Sequence, residues 1–378
     1  MPASAQAPAS ASSRLGPAAR DLVRPEVQEL GIYHLDLTPC LHKLDQNEVP
    51  YDLPLRQRRR AASAFAERSW ARYPDFHADA VRQRLAERHG VPSEAVLVGN
   101  GSNELLGVGL EALVRPGSEV LGTLPSFGLY RMFVVRAGGV PRFLQARSLE
   151  PGGGLELPIA ALEEEIERDP TRPVILCTPN NPTGDAVSPR AVERLLEKLE
   201  APLLLDNAYG EFCRYDYRPL LGRYRHLVIF RTFSKAWSLG GLRLGYLLAD
   251  PGMVHELMKV KLPYNIGLGH IEAACEVLDR PAAAERRTRA ILARRPQWAA
   301  MFESFGYRVL PSEANFLLVR VGSRVADIRA GLETRGIRVR DVSKYPGLEG
   351  FMRVSVGSGR ALRDVRSALA ELQGEVAS

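Results

Sequence analysis

The sequence predicts an α/β protein, with a large domain built on a mostly parallel sheet flanked by helices and a smaller α+β domain behind it. Two observations predict this. From about residue 60 to 285, short apolar runs ending in turn residues alternate with helical stretches. Beyond about residue 286 the pattern changes to a basic helical stretch, two apolar runs and a further helix. Strands that alternate with helices imply βαβ units and parallel pairing. Ligands of such sheets bind beyond the carboxyl ends of the strands.

The expected strands of the large domain are residues 95–98, 119–122, 174–177, 202–205, 227–230 and 244–248. A helix is expected over 103–114 and another over 188–200. The second begins with Ser188-Pro189, an N-cap followed by proline at the first helical position, and carries Val192, Leu195, Leu196 and Leu199 on one face. In the last part, residues 316–319 and 352–356 read as strands and 325–334 as a helix. The expected organisation is a disordered tail (1–20), an N-terminal arm (21–59), the large domain (60–285) and the small domain (286–378). Residues 1–20 are mostly Ala, Ser and Pro, with two arginines and no acid, a composition that buries too little surface to offset its ordering entropy.

Bulk properties exclude several functions. With Lys+Arg at 50 against Asp+Glu at 44, the surplus of +6 on 378 residues does not call for nucleic acid. Cys40, Cys177, Cys213 and Cys275 form no C-x-x-C pair, and the seven histidines show no metal spacing. No metal site and no disulfide scaffold are expected, and the cysteine usage fits a reducing compartment, the cytoplasm. No run approaches the roughly 20 apolar residues of a membrane helix.

Four segments carry chemistry, each at the end of an expected strand. Arg231-Thr232-Phe233-Ser234-Lys235 continues through Gly240-Gly241-Leu242-Arg243-Leu244-Gly245, placing a lysine and, eight residues on, an arginine in a glycine-containing run. Thr178-Pro179-Asn180-Asn181-Pro182-Thr183-Gly184 is a turn by composition. Asp206-Asn207-Ala208-Tyr209 ends an apolar strand with a carboxylate, which alone could be a helix cap. Gly99-Asn100-Gly101-Ser102-Asn103-Glu104 leads from a strand into a helix whose first N–H groups can hold a phosphate. It is neither a dinucleotide fingerprint nor a P-loop, because Glu104 replaces the last glycine and no Gly-Lys-Ser/Thr follows. Between them, Pro125-Ser126-Phe127-Gly128-Leu129-Tyr130 offers an aromatic ring for stacking or for the core.

In this order the segments resemble the class I/II aminotransferases of fold-type I, and within them the histidinol-phosphate aminotransferases, over about residues 23–372. Lys43-Leu44-Asp45-Gln46-Asn47-Glu48, Arg72-Tyr73-Pro74-Asp75, Pro263-Tyr264-Asn265, Ser312-Glu313-Ala314-Asn315-Phe316, Val339-Arg340-Asp341 and Met352-Arg353-Val354-Ser355 belong to the same match. The resemblance implies a seven-stranded sheet, pyridoxal 5′-phosphate as cofactor, and a homodimer with shared active sites. It implies that Lys235 carries the cofactor and moves the proton, that Asp206 pairs with the ring nitrogen, and that Asn181 and Tyr209 bond its phenolic oxygen. Phe127, where the family usually has tyrosine, would stack on the ring. Gly101, Ser102, Asn103, Thr232, Ser234 and Arg243 would hold the phosphate, with Tyr73 reaching it from the other subunit. Tyr33, Asn47, Arg340 and Arg353 would bind substrate, the two arginines taking phosphate or carboxylate.

The implied reaction is transamination between L-histidinol phosphate and 2-oxoglutarate, in histidine biosynthesis. Rival readings are an aromatic or broad-specificity aminotransferase and a phosphothreonine decarboxylase. A ligand-sensing regulator would need a DNA-binding module, which residues 1–20 cannot form. The sequence departs from the family pattern at Asn207 (usually Glu), Val49 (usually Asn) and Ser126 (usually Thr).

Overall fold

The computed structural model describes residues 21–32, 38–148 and 155–377. The tail 1–20 and Tyr33 lie outside the described residues. Residues 21–32 belong to a separate unit and hold one turn of helix, Pro25–Gln28, with proline at its start. Everything below concerns the unit that begins at Thr38.

Among the described residues seven strands form the large sheet: β1 (Val96–Gly99), β2 (Glu119–Leu124), β3 (Val140–Gln145), β4 (Val174–Cys177), β5 (Leu203–Asp206), β6 (Leu227–Thr232) and β7 (Gly245–Leu248). Their order is β1-β7-β6-β5-β4-β2-β3. All neighbours are parallel except β7, which runs antiparallel to both β1 and β6. The inner strands β4, β5 and β7 are buried along their whole length, so they read as continuous apolar runs rather than alternating ones. β3 was not among the expected strands. It is an edge strand, half exposed and with Pro141 at its second position, and a missing N–H is tolerated only at an edge.

The helices of this part are α1 (Leu55–Ala66), α2 (Asp79–His89), α3 (Gly101–Leu113), α4 (Tyr130–Arg136), α5 (Ile159–Arg168), α6 (Pro189–Lys198), α7 (Pro251–Val260) and α8 (Leu268–Asp279), on which α1 packs. In α6 the Ser188 hydroxyl accepts the Ala191 N–H at 3.2 Å, and Val192, Leu195 and Leu196 are buried. Burying each of those side chains is worth about 1.5–3 kcal/mol, which sets the helix face where its propensity alone would not. α3 begins at Gly101, two residues before the expected start. Gly101 adopts φ +79°, so the chain turns on the glycine itself.

The C-terminal part holds α9 (Ala282–Glu303), α10 (Val325–Thr334) and α11 (Gly359–Ala377) around a second sheet. That sheet is antiparallel, in the order β8 (Arg308–Leu310), β9 (Phe316–Arg320), β11 (Phe351–Ser355), β10 (Arg340–Asp341). Residue 286, where the second region was expected to begin, lies inside α9. Trp298, Met301 and Phe302 of α9 pack with Phe316 in the main core. His42–Lys43 pairs with Ile337–Arg338, so this stretch before α1 is tied to the C-terminal part. No helix among the described residues is long and apolar enough to cross a membrane.

Candidate active site

The carboxyl ends of β1, β2, β4, β5 and β6 and the start of β7 meet at one edge of the large sheet. Thr232 is the last residue of β6 and Asp206 the last of β5. Phe127 follows β2 by three residues and Asn181 follows β4 by four. Every large-domain residue singled out for chemistry, Tyr73 excepted, therefore sits at this edge or in the loop just beyond it.

The turns that carry these side chains are locked to each other. Asn180 donates to the Pro125 carbonyl at 2.9 Å and to the Thr183 hydroxyl at 2.7 Å, while Ser126 donates to Asn180 Oδ1 at 2.8 Å. Asn180 and Ser126 are buried, so these bonds fix the segment holding Phe127 against the one holding Asn181. Ser126 thus fills a bonding role even where the family pattern has Thr.

The phosphate-type subsite is a contact between two backbones. A Cβ built on Gly245 would lie 2.3 Å from the Ser102 amide nitrogen and 2.5 Å from the Gly101 carbonyl carbon. Only glycine lets β7 come so close to the first turn of α3, whose N–H groups have no intrahelical acceptor. The Arg243 guanidinium donates to the Ser234 hydroxyl at 3.3 Å and to the Gly240 carbonyl at 3.1 Å, and it lies beside Gly101. Arg243 itself sits at φ +48°. The Ser234 amide donates to the Thr232 hydroxyl at 3.0 Å. Two helix-start amides, two hydroxyls and an exposed arginine make an anion cradle.

Lys235 is partly buried, and its Nζ donates to the Gln46 carbonyl at 2.8 Å. Burial comes first and the positive charge of Arg353 second in pulling this amine down to about 7, against a pull upward from Glu48. A lysine so placed exchanges protons near neutral pH. Its Nζ lies 5.9 Å from the centre of the Tyr209 ring. Tyr209 is buried, and its hydroxyl accepts the Asn47 side-chain amide at 2.9 Å; burial raises its pKa. Asn47 adopts φ +55° and is fixed from three sides, by its amide to Ser355 Oγ at 3.0 Å, by its carbonyl accepting Asn315 at 2.9 Å, and by Tyr209.

The Asp206 carboxylate is 5 % exposed. Its Oδ1 accepts the Ala208 amide at 3.1 Å and its Oδ2 accepts the hydroxyl of Tyr130 at 2.6 Å. Desolvation raises its pKa, while Tyr130, Ala208 and the charge of Lys235 oppose the rise. Arg353 donates to Asn181 Oδ1 and to the Asp45 carbonyl, and its guanidinium carbon lies 5.5 Å from the Phe316 ring centre. Arg340, expected on the segment leading into that strand, lies on strand β10 just before it and is the register partner of Arg353.

Tyr73 stands apart. It is 80 % exposed and stacks on Tyr264 at 4.6 Å between ring centres, with Trp70, Leu262 and Phe76 also exposed. Sequence reasoning missed Tyr130 and Asn315 as parts of the site. Both lie in quoted motifs, but only the fold shows that their side chains turn inward. Asn207, where the family has Glu, donates to the Thr178 carbonyl at 2.6 Å and accepts from Arg231 at 2.8 Å. The acid that balances the partly buried Arg231 is Glu211, at 2.8 Å.

Comparison with known proteins agrees with this architecture. The chain is 32 % identical over 352 residues to the histidinol-phosphate aminotransferase of Caldanaerobacter subterraneus subsp. tengcongensis, covering 93 % of this chain and 99 % of that protein. It is 38 % identical over 344 residues to the enzyme of the same name from Gloeobacter violaceus, covering 89 % and 93 %. Among solved structures, histidinol-phosphate aminotransferase from Sinorhizobium meliloti in complex with pyridoxal-5′-phosphate superposes with a TM-score of 0.82 at 22 % identity, covering 94 % of this chain and 98 % of that one, so the fold is that of fold-type I. The sequence profile of aminotransferase class I and II matches residues 41–372, and the chain belongs to that family.

Proposed function

We propose that the protein is a histidinol-phosphate aminotransferase that uses pyridoxal 5′-phosphate, transferring the amino group of L-histidinol phosphate to 2-oxoglutarate in histidine biosynthesis. The observation that carries this reading is the convergence of Lys235, Asn181 and Arg353 beside the anion cradle, in a chain aligned along nearly its whole length with relatives of that name. The cradle at Gly101, Ser102, Asn103, Thr232, Ser234 and Arg243 fits the cofactor's phosphate. Phe127 fits its ring face, and Asp206 fits its ring nitrogen. Asn181 and Tyr209 fit its phenolic oxygen. Bound there, the cofactor supplies the electron sink that stabilises charge at the substrate Cα. Lys235 Nζ would take the proton from the substrate Cα and deliver it to the cofactor's C4′, a task suited to an amine that titrates near 7.

Arg353 and Arg340 bind the anionic end of each substrate, the phosphate ester of one and a carboxylate of the other. Their planar forks match both groups. Asn47 holds Tyr209 at the substrate's side of the pocket, and Tyr33 is placed with the substrate by motif alone. The exposed Tyr73 and its aromatic neighbours fit a homodimer interface through which Tyr73 reaches the phosphate cradle of the partner. The protein works in the cytoplasm, on small molecules.

The test is a half-reaction. Purified protein loaded with the cofactor is mixed with L-histidinol phosphate without acceptor, beside L-phenylalanine, with Lys235→Ala as blank. Fast loss of the bound cofactor's visible band with histidinol phosphate alone is expected. Equal conversion with phenylalanine would move the reading to a broad aromatic aminotransferase. Release of carbon dioxide from phosphothreonine would move it to a decarboxylase.

A further inference from the structure

Tyr130 is the first residue of α4 and is 2 % exposed. Its hydroxyl reaches Asp206 Oδ2 at 2.6 Å, a short charge-assisted bond. Its ring meets Phe127 edge-on, with centroids 5.5 Å apart and planes at 81°, and its amide donates to the Phe127 carbonyl at 3.1 Å. One side chain therefore touches both the carboxylate and the ring that the family resemblance assigns to the cofactor. Phenol and carboxylate lie in the interior, where a hydrogen bond to a charge is strong and its loss is not repaired by water.

The roles in this bond are fixed. Burial and the neighbouring Asp206 keep the Tyr130 phenol protonated well beyond its usual range, so it acts as donor at any working pH. With Ala208 on Oδ1 and Tyr130 on Oδ2, each carboxylate oxygen has one protein donor and retains a lone pair. The carboxylate cannot rotate without breaking one of the two.

We propose that Tyr130 is a positioning residue for the cofactor: its hydroxyl holds Asp206 in one rotamer as the anion that receives the ring nitrogen, and its ring braces Phe127. This rests on the reading of the site as one for pyridoxal 5′-phosphate. Without the phenol, Asp206 keeps a single donor, becomes more basic, and draws the shared proton from the ring nitrogen toward itself. A neutral ring is the weaker electron sink.

The experiment uses the full chain loaded with cofactor labelled with ¹⁵N at the ring nitrogen, as wild type, Tyr130→Phe, Asp206→Asn and the double variant. The readouts are the ¹⁵N shift and the pH midpoint of the visible band. Tyr130→Phe is expected to retain a Lys235-dependent band, move the ¹⁵N signal toward the unprotonated ring, shift the midpoint by about one pH unit, and lower kcat about tenfold. In the Asp206→Asn background the same change is expected to do nothing further, because Tyr130 acts through Asp206. An unchanged ¹⁵N shift and midpoint in Tyr130→Phe, or an equal additional effect in the Asp206→Asn background, would overturn the proposal. Absence of any Lys235-dependent band in the wild type would instead overturn the cofactor reading beneath it.

Discussion

Arg340 stands directly across the strand pair from Arg353, as register partners in β10 and β11. Directly opposed residues share a face of the sheet, and like charges there oppose folding. On the proposed function, the anionic end of the substrate would bind between or beside the two and offset that repulsion. Arg353→Lys keeps the charge but loses the fork that meets Asn181 and Asp45. It is expected to raise KM for histidinol phosphate about tenfold or more. Arg340→Ala is expected to raise the same KM. Steady-state kinetics on the two variants check this.

Lys235 makes the cofactor-free protein sensitive to pH. Its folded amine titrates near 7, below the 10.5 of an unstrained lysine, so folding releases a proton between those values. The resulting penalty on stability is present in full below about pH 7 and fades as pH rises toward the unfolded value. Lys235→Met is therefore expected to raise the melting temperature of the cofactor-free protein at pH 6 by about 1–3 °C, with a smaller gain at pH 10. Melting curves at the two pH values decide it.

Gly245→Ala tests the backbone contact in the anion cradle. A methyl group 2.3 Å from the Ser102 amide cannot fit without moving the start of α3. The variant is expected to bind pyridoxal 5′-phosphate at least about tenfold more weakly, a cost of about 1.4 kcal/mol, and a fluorescence titration measures it. Gly241→Ala meets nothing within 4 Å and is expected to bind as the wild type does.

Asn207 is a departure from the family that the structure explains. Its amide donates to the Thr178 carbonyl and its oxygen accepts from Arg231. An aspartate could keep only the second bond and would set an oxygen against the Thr178 carbonyl. Asn207→Asp is expected to cost about 1–3 kcal/mol, read as a lower denaturant midpoint with an unchanged slope.

Much of this was legible in the sequence because the inner strands are buried on both faces. The expected strand at 174–177 coincides with β4, and those at 202–205 and 227–230 agree with β5 and β6 to within two residues. The helix at 325–334 coincides with α10. β3 escaped because an edge strand with a proline and exposed positions carries neither a continuous apolar run nor a clean alternation. The site was legible where its residues lie in turns at strand ends, which is where residue type and position coincide. It was not legible where it depends on a side chain arriving from afar. The inward turn of Tyr130 and the clasp of Asn315 on Asn47 follow from packing, and the facing of Arg340 and Arg353 follows from strand register.

The residues Asp45, Gln46 and Asn47 carry one more consequence, and it concerns time. They emerge early in synthesis, yet their carbonyls, the Asn47 amide and the Asn47 side chain serve Lys235, Tyr209, Asn315, Arg353 and Ser355. The farthest of these lies 308 residues downstream. At about 5–20 residues per second, the segment waits roughly 15–60 s on the ribosome for its last partners. The large sheet can assemble in that interval, but the pocket cannot. The pocket therefore closes only after the last strand of the second sheet, β11, has been made.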